Sequence, residues 1–395
     1  SLCSSASVGF YVQVAHRIGA GELVHARHIL RQSFLSCLLF ASALSVIGIL
    51  IYSRLPHWLG GGEDICHDAS LYFFIFSLGI PFAQLNSLCS GMLRCSGNMH
   101  IPSILNILMC LLDVVFNYFL IFPSRSFGDW TIPGAGLGVV GAGLGTLFSF
   151  AICSLIMCWF VCARSKELNL LQDSGTFIPQ RDTLKRAVRL SLPLAVEHIV
   201  LCGAQIMSTM IVAPLGTIAI AANSFGITIE ALCYMPGYGI ADAATALVGQ
   251  SLGAGRMRLA RSFGRITLSM GVAIMTLMAV VMYVFSPALM SVMSPDASVC
   301  SLTVDILRIE ALAEPMFAAS IICYGIFVGA GDTTVPCTMN LASIWGVRIV
   351  LAALLSGSYG LQGVWIAMAI ELTFRGVIFL IRFHSDRWMK GKKIV

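Results

Sequence analysis

Apolar stretches long enough to cross a membrane recur along this chain, at roughly 30–53, 69–92, 101–122, 136–162, 190–213, 218–248, 262–285, 301–329, 335–355 and 361–383. A hydrocarbon layer of ~30 Å needs about 20 helical residues, so the pattern predicts ten full transmembrane helices. The segment 3–18 is shorter and predicts half a helix; it carries neither the basic n-region nor the small-residue cleavage site of a signal peptide. The longest polar stretch is ARSKELNLLQDSGTFIPQRDTLKR. It predicts a linker over 163–189 with a short amphipathic surface helix ending near Arg189, punctuated by Pro179 and Pro193. The domains expected are therefore an N-lobe bundle at 1–162, the linker at 163–189 and a C-lobe bundle at 190–395 with a basic tail.

Between these runs the chain repeats itself. Gly19-Ala20-Gly21 followed by Ala26-Arg27 recurs as Gly253-Ala254-Gly255 followed by Ala260-Arg261. At the same offset Gly91, Gly97, Asn98, Pro102 and Asn106 fall on Gly325, Gly331, Asp332, Pro336 and Asn340. Gly138 and Gly141 match Gly360 and Gly363 at a shorter offset, as expected if the first copy carries a longer loop just before them. The fold expected is thus an all-α polytopic membrane protein. It would hold two pseudo-symmetric six-helix bundles around a central cavity, the first lacking its first helix and part of its second. Internally duplicated helical membrane proteins are commonly transporters that bind substrate between their repeats.

Composition agrees, since 57% hydrophobic residues, 11% charged residues and a mean hydropathy of +0.88 exceed what a soluble core tolerates. Charge then sets orientation. The linker, both Gly-Ala-Gly loops and the C-terminus hold most of the Lys and Arg, whereas the opposite loops keep only Arg54 and Arg125. By the positive-inside rule the basic side is cytoplasmic, so the reading is a multi-pass protein of the plasma (inner) membrane. The net charge of +5 is explained without nucleic acid. The fourteen cysteines show no CxxC pair and no metal spacing, and read as small apolar packing residues. Cys66, near His67 and Asp68, falls in an outward loop where solvation is a simpler account than zinc.

The informative chemistry is the ionisable residues inside apolar spans, which are costly there and by default mark a pathway or ion site. They are Asp113, Glu197, Glu230, Asp242, Glu314 and Glu371, with Arg348 and Arg375 as counter-charges. Asp113 and Asn117 share one helix face, one turn apart, and Thr146 on the next helix is a third polar group. They can hold a proton or Na⁺, or simply pack helix on helix. Glu197 follows Pro193, and Glu314 precedes Pro315, which can kink its span. Glu230 stands ahead of the helix-loosening run Tyr234-Met235-Pro236-Gly237-Tyr238-Gly239. Tyr234, Met235 and Tyr238 are candidates to line a substrate cavity through cation–π and soft contacts, or else core packing. Glu371 and Arg375, one turn apart, suggest an internal ion pair; Arg308 and Glu310 suggest the membrane interface. No phosphate-binding glycine motif is present, and no catalytic constellation, cofactor site or metal site is expected.

VAHRIGAGELVHARH, its partner VGQSLGAGRMRLARS, the turn IFVGAGDTTVP and the run IEALCYMPGYGIADAATALVGQSLGAG resemble the multidrug and toxic compound extrusion (MATE) family. The resemblance covers 9–383. It implies two six-helix bundles, and antiport in which Na⁺ or H⁺ enters while an organic, cationic or amphiphilic compound leaves as the lobes rock. The partners expected are the lipid bilayer and a small organic substrate, the chain is expected to be a monomer, and no cofactor is expected beyond the coupling ion. In members with an N-lobe cation site, Asp113 takes the family's Asn position, Asn117 its Asp position, and Thr146 matches its Thr. In members with a C-lobe site, Glu197 falls one turn before the family Glu, whose place Leu201 takes, and Glu314 about one turn before the family Asp. Alternatives are a flippase for lipid-linked intermediates, a membrane-embedded transferase and a truncated inactive copy.

Overall fold

A computed structural model describes residues 2–58, 62–127, 130–173, 175–385 and 387–390; the side chains of 63, 64, 125–133 and 390 lie outside that description. The side chains of Arg125 and Lys390, and Lys392 and Lys393 altogether, which entered the charge reading, therefore fall outside it. The chain forms two compact units, Ser1–Val188 and Arg189–Val395.

The first unit contains α1 (Leu2–Gly19), α2 (Leu23–Ile51), the short α3 (Leu55–Trp58), α4 (Glu63–Cys95), α5 (His100–Ile121) and α6 (Gly138–Trp159). Helices prevail because hydrocarbon offers backbone N–H and C=O groups no other partner. The buried side chains Val14, Leu30, Leu88, Met92 and Met157 knit α1, α2, α4 and α6 together. Outer faces stay apolar: Ile104, Ile107, Leu111 and Val114 are exposed along α5, a surface that suits lipid and not water.

The all-α expectation holds, with one local detail that the sequence did not give. The expected loop before Gly138 is an antiparallel ribbon, β1 (Pro123–Phe127) paired with β2 (Trp130–Ala135). Gly136, at φ 65, turns the chain back so that its N–H and that of Leu137 donate to the carbonyls of Phe122 and Leu120. The linker also departs from expectation. Its C-terminal part is no separate surface helix but the first turns of α7 (Arg181–Val212), which continues as a helix through Pro193. Its N-terminal part is strapped to α2: Arg27 donates to the Glu167 carbonyl at 2.9 Å, to Gln172 Oε1 at 2.6 Å and to the Asp173 carboxylate.

The second unit holds most of α7, then α8 (Thr217–Gly253), α9 (Met257–Met293), α10 (Ala297–Gly329), α11 (Thr334–Ser343) and α12 (Val350–His384). The Asp296 side chain caps α10 by accepting from Ser298 N–H at 2.8 Å. α10 is the central helix, packed on α8, α9 and α12. α8 is not loosened at Tyr234–Gly239; it continues as a helix through Pro236. The predicted spans 335–355 and 361–383 join as one helical stretch, Thr334–His384. That stretch is widened by a π-segment at Ile344–Ile349 and broken at Gly360, whose backbone is not helical (φ 57, ψ −137). With it, nine stretches among the described residues are long and apolar enough to cross a membrane.

Candidate functional site

In the first unit α5 carries Asp113 and Asn117 on one face, as expected, and α6 meets that face at Gly145. A Cβ there would collide with Asn117 Oδ1. Thr146, the next residue, spends its hydroxyl on the Ala142 carbonyl of its own helix at 3.2 Å. No hydrogen bond joins the three, and Asp113 Oδ1 and Asn117 Oδ1 are buried without a partner. Cys66 is not in a loop: it is buried near the start of α4, its Sγ 3.6 Å from His57 Nδ1.

The second unit separates its acids into two kinds. Glu197 on α7 is nearly closed off and fully satisfied, accepting from Tyr324 Oη at 2.5 Å and from Asn340 Nδ2 at 2.6 Å. Glu371 on α12 is equally committed. It accepts from Ser343 Oγ at 2.6 Å and from Arg375 Nη2 at 3.1 Å. Arg375 Nε lies 2.9 Å from Oε1 at an angle unsuited to a hydrogen bond, and Arg348 Nε lies 3.8 Å from Oε2. The expected internal ion pair is therefore one carboxylate between two guanidiniums.

Glu314 is different. It is 0% exposed on α10, and neither carboxylate oxygen has a partner. Glu310, one turn earlier on the same face, is also 0% exposed with both oxygens unpartnered. The interfacial expectation for Glu310 was wrong; only Arg308 is exposed, stacked over the Tyr283 ring at 5.3 Å. The i,i+4 spacing of Glu310 and Glu314 was the available signal. It was missed because distance from the span's end says nothing about which helices surround it. Glu230 on α8, only 7% exposed, lies within electrostatic reach of both, and Asp242 is half-buried on the same helix.

Glu230 also opens onto a crevice of about 290 Å³ walled by α7, α8, α10, α12 and the π-segment, and lined among others by Tyr234, Tyr238, Phe317, Arg348, Trp365 and Arg375. Tyr234 sits at the corner of an aromatic group, its ring 5.6 Å from Tyr238 and 5.7 Å from Phe317, both edge-on. Met235, expected beside them, is exposed and takes no part in that lining.

A bundle of membrane-crossing helices, apolar outside and holding buried acids and a polar crevice inside, is a polytopic membrane transporter. The MatE family model matches residues 1–119 and 193–354, and the chain belongs to that family. It is a multi-pass inner-membrane protein and not an enzyme. It is 26% identical over 391 residues to the probable multidrug resistance protein NorM of Thermotoga maritima, covering 98% of this chain and 82% of that one. It is 23% identical to the multidrug resistance protein MdtK of Yersinia pestis, covering 95% and 82%. Among solved structures, a MATE protein in complex with MaL6 superposes with a TM-score of 0.89 at 19% identity, covering 99% of this chain and 86% of that one. The outward-facing conformation of a multidrug resistance MATE transporter gives 0.88 at 19%, covering 99% and 85%.

Proposed function

We propose that the protein exports small organic compounds across the inner membrane in exchange for a cation, by alternating access of its two lobes. The relatives named multidrug resistance proteins support the export reading. The observation that carries the coupling reading is the pair Glu310 and Glu314, one turn apart on α10, sealed from solvent, with no hydrogen bond to any of four oxygens. Stripping water from an ionised carboxylate without a counter-charge or donor is among the costliest things a fold can do. Taking up a proton removes that cost, so this pair, with Glu230 nearby, is a store that a proton gradient can fill and empty. Sodium would need further oxygen ligands closing around the pair, which makes H⁺ the proposed coupling ion. Asp113, Asn117 and Thr146 are proposed as a second polar station in the N-lobe, and Glu197 as a positioning group that ties α7 to α10 and α11. Tyr234 and Tyr238 are proposed to face substrate.

The test is efflux of ethidium and, separately, of fluorescent 2-naphthoate from a pump-deficient bacterium expressing the protein, under an imposed pH gradient and separately under a Na⁺ gradient. The pH gradient is expected to drive export and the Na⁺ gradient not. Glu310→Gln and Glu314→Gln should each reduce gradient-driven export by at least tenfold with membrane insertion unchanged, and Asp113→Asn should reduce it less. Export undiminished in both glutamine variants would sink the coupling assignment.

A further inference from the structure

The crevice on the second unit is built to hold a negative charge. Its wall carries two guanidiniums, Arg348 and Arg375, which share a single committed carboxylate, Glu371. Formally that leaves one positive charge. Glu230 is the other acid on the wall; protonated it leaves that charge standing, and ionised it brings the crevice to neutrality. Counted over these four groups alone, with Glu310 and Glu314 carrying their protons and Glu197 spent on Tyr324 and Asn340, neither state gives a cation a net attraction, whereas an anion is attracted in the first and meets no net charge in the second. Glu310 and Glu314 on α10 also lie within electrostatic reach of Glu230, and Arg348 within reach of Glu310, although neither carboxylate of the pair has a hydrogen-bond partner.

Hydrogen-bond donors point the same way. Arg348 keeps about a quarter of its side chain exposed, and among the described residues nothing accepts a hydrogen bond from its terminal nitrogens. Asn223 accepts from Trp365 Nε1 at 3.0 Å through its oxygen, which leaves its amide hydrogens to the crevice. Gln205 stands on the same wall, and its side-chain amide makes no hydrogen bond among the described residues. A free guanidinium fork with amide donors beside it matches the planar, two-oxygen face of a carboxylate. The rest of the lining, Trp365, Phe317 and Tyr234, is aromatic. A volume of about 290 Å³ lies at the bottom of the range for sites that hold drug-sized ligands, roughly 300–1,000 Å³, so one or two fused rings fit.

We propose that this crevice binds aromatic organic anions, with Arg348 holding the carboxylate and the aromatic side chains holding the ring. The proposal rests on the export reading and narrows its substrate class. The experiment measures direct binding to the full chain in detergent by equilibrium dialysis, using 2-naphthoate, its methyl ester and (2-naphthylmethyl)trimethylammonium. The wild-type protein should bind naphthoate most tightly. Arg348→Gln should weaken naphthoate about tenfold or more, the scale of one lost charge-assisted contact, and leave the ester unchanged, which also shows that the fold survives. Arg348→Lys, with the charge but not the fork, should fall between. If Arg348→Gln aggregates, Gln205→Leu should weaken naphthoate several-fold instead. Tighter binding of the ammonium probe by wild type, or full naphthoate affinity in the folded Arg348→Gln or Gln205→Leu protein, overturns the proposal. Ethidium efflux without naphthoate binding would sink this inference alone; naphthoate binding without any export would sink the export reading and leave the anion site standing.

Discussion

Burial without a partner governs Glu167, a residue of the polar segment outside the membrane spans. Its Oε2 is buried and unpaired, and burial raises its pKa above the usual 4.5. The folded chain therefore holds this proton more tightly than the unfolded chain does. The associated stability is complete below the ordinary carboxylate range and is lost as pH climbs through the raised value. Glu167→Gln should thus raise the melting temperature at pH 7–8 and bring no gain near pH 4; a gain that is equal at both pH values would count against this account. Its neighbour Arg27 acts in the opposite sense, because three separate partners on the strap satisfy its guanidinium. Removing it leaves a carboxylate and two further acceptors without their donor, so Arg27→Ala should destabilise the first unit by about 2–4 kcal/mol, readable as a lowered denaturation midpoint.

Elements are punctuated twice over by the same glycines. Gly21 (φ 79) and Gly255 (φ 70) end α1 and α8, and Gly97 (φ 85) and Gly331 (φ 78) follow α4 and α10. Each pair closes its helix with matched bonds. Gly21 and Glu22 N–H donate to Ile18 and Arg17 carbonyls, just as Gly255 and Arg256 donate to Leu252 and Ser251. These are the backward bonds of a left-handed C-cap, which favours glycine because it has no Cβ penalty at positive φ. The pair Gly138 (φ 55) and Gly360 (φ 57) marks the start of α6 and the break within α12. Gly360 has open space around it, so its constraint is purely conformational. Gly360→Ala should cost about 1–3 kcal/mol. Asparagine should not rescue it, because asparagine tolerates the left-handed helical basin and ψ here is −137. An unchanged melting temperature for Gly360→Ala would remove the backbone argument.

On the scale of the whole molecule, the asymmetry of basic residues predicts that the C-terminus is cytoplasmic. A green fluorescent protein fused after Val395 should therefore fluoresce in a bacterial host; dark but well-inserted fusions would reverse the orientation. The helices, their order and the duplication were legible along the chain, because span length, mean polarity and glycine spacing are one-dimensional quantities set by bilayer thickness and by backbone sterics. Even the ion pair of Glu371 and Arg375 was legible, since both members lie on one helix a turn apart. Packing decided the rest. Whether an acid is satisfied, as Glu197 is by Tyr324 and Asn340, or left bare, as Glu310 and Glu314 are, depends on side chains brought in from other helices over a hundred positions away or withheld. Arg348 reached the crevice the same way. The sequence by itself determined a duplicated, membrane-crossing helical transporter; only the tertiary structure decided which of its buried charges have partners, because a counter-charge is a neighbour in space and not in the chain.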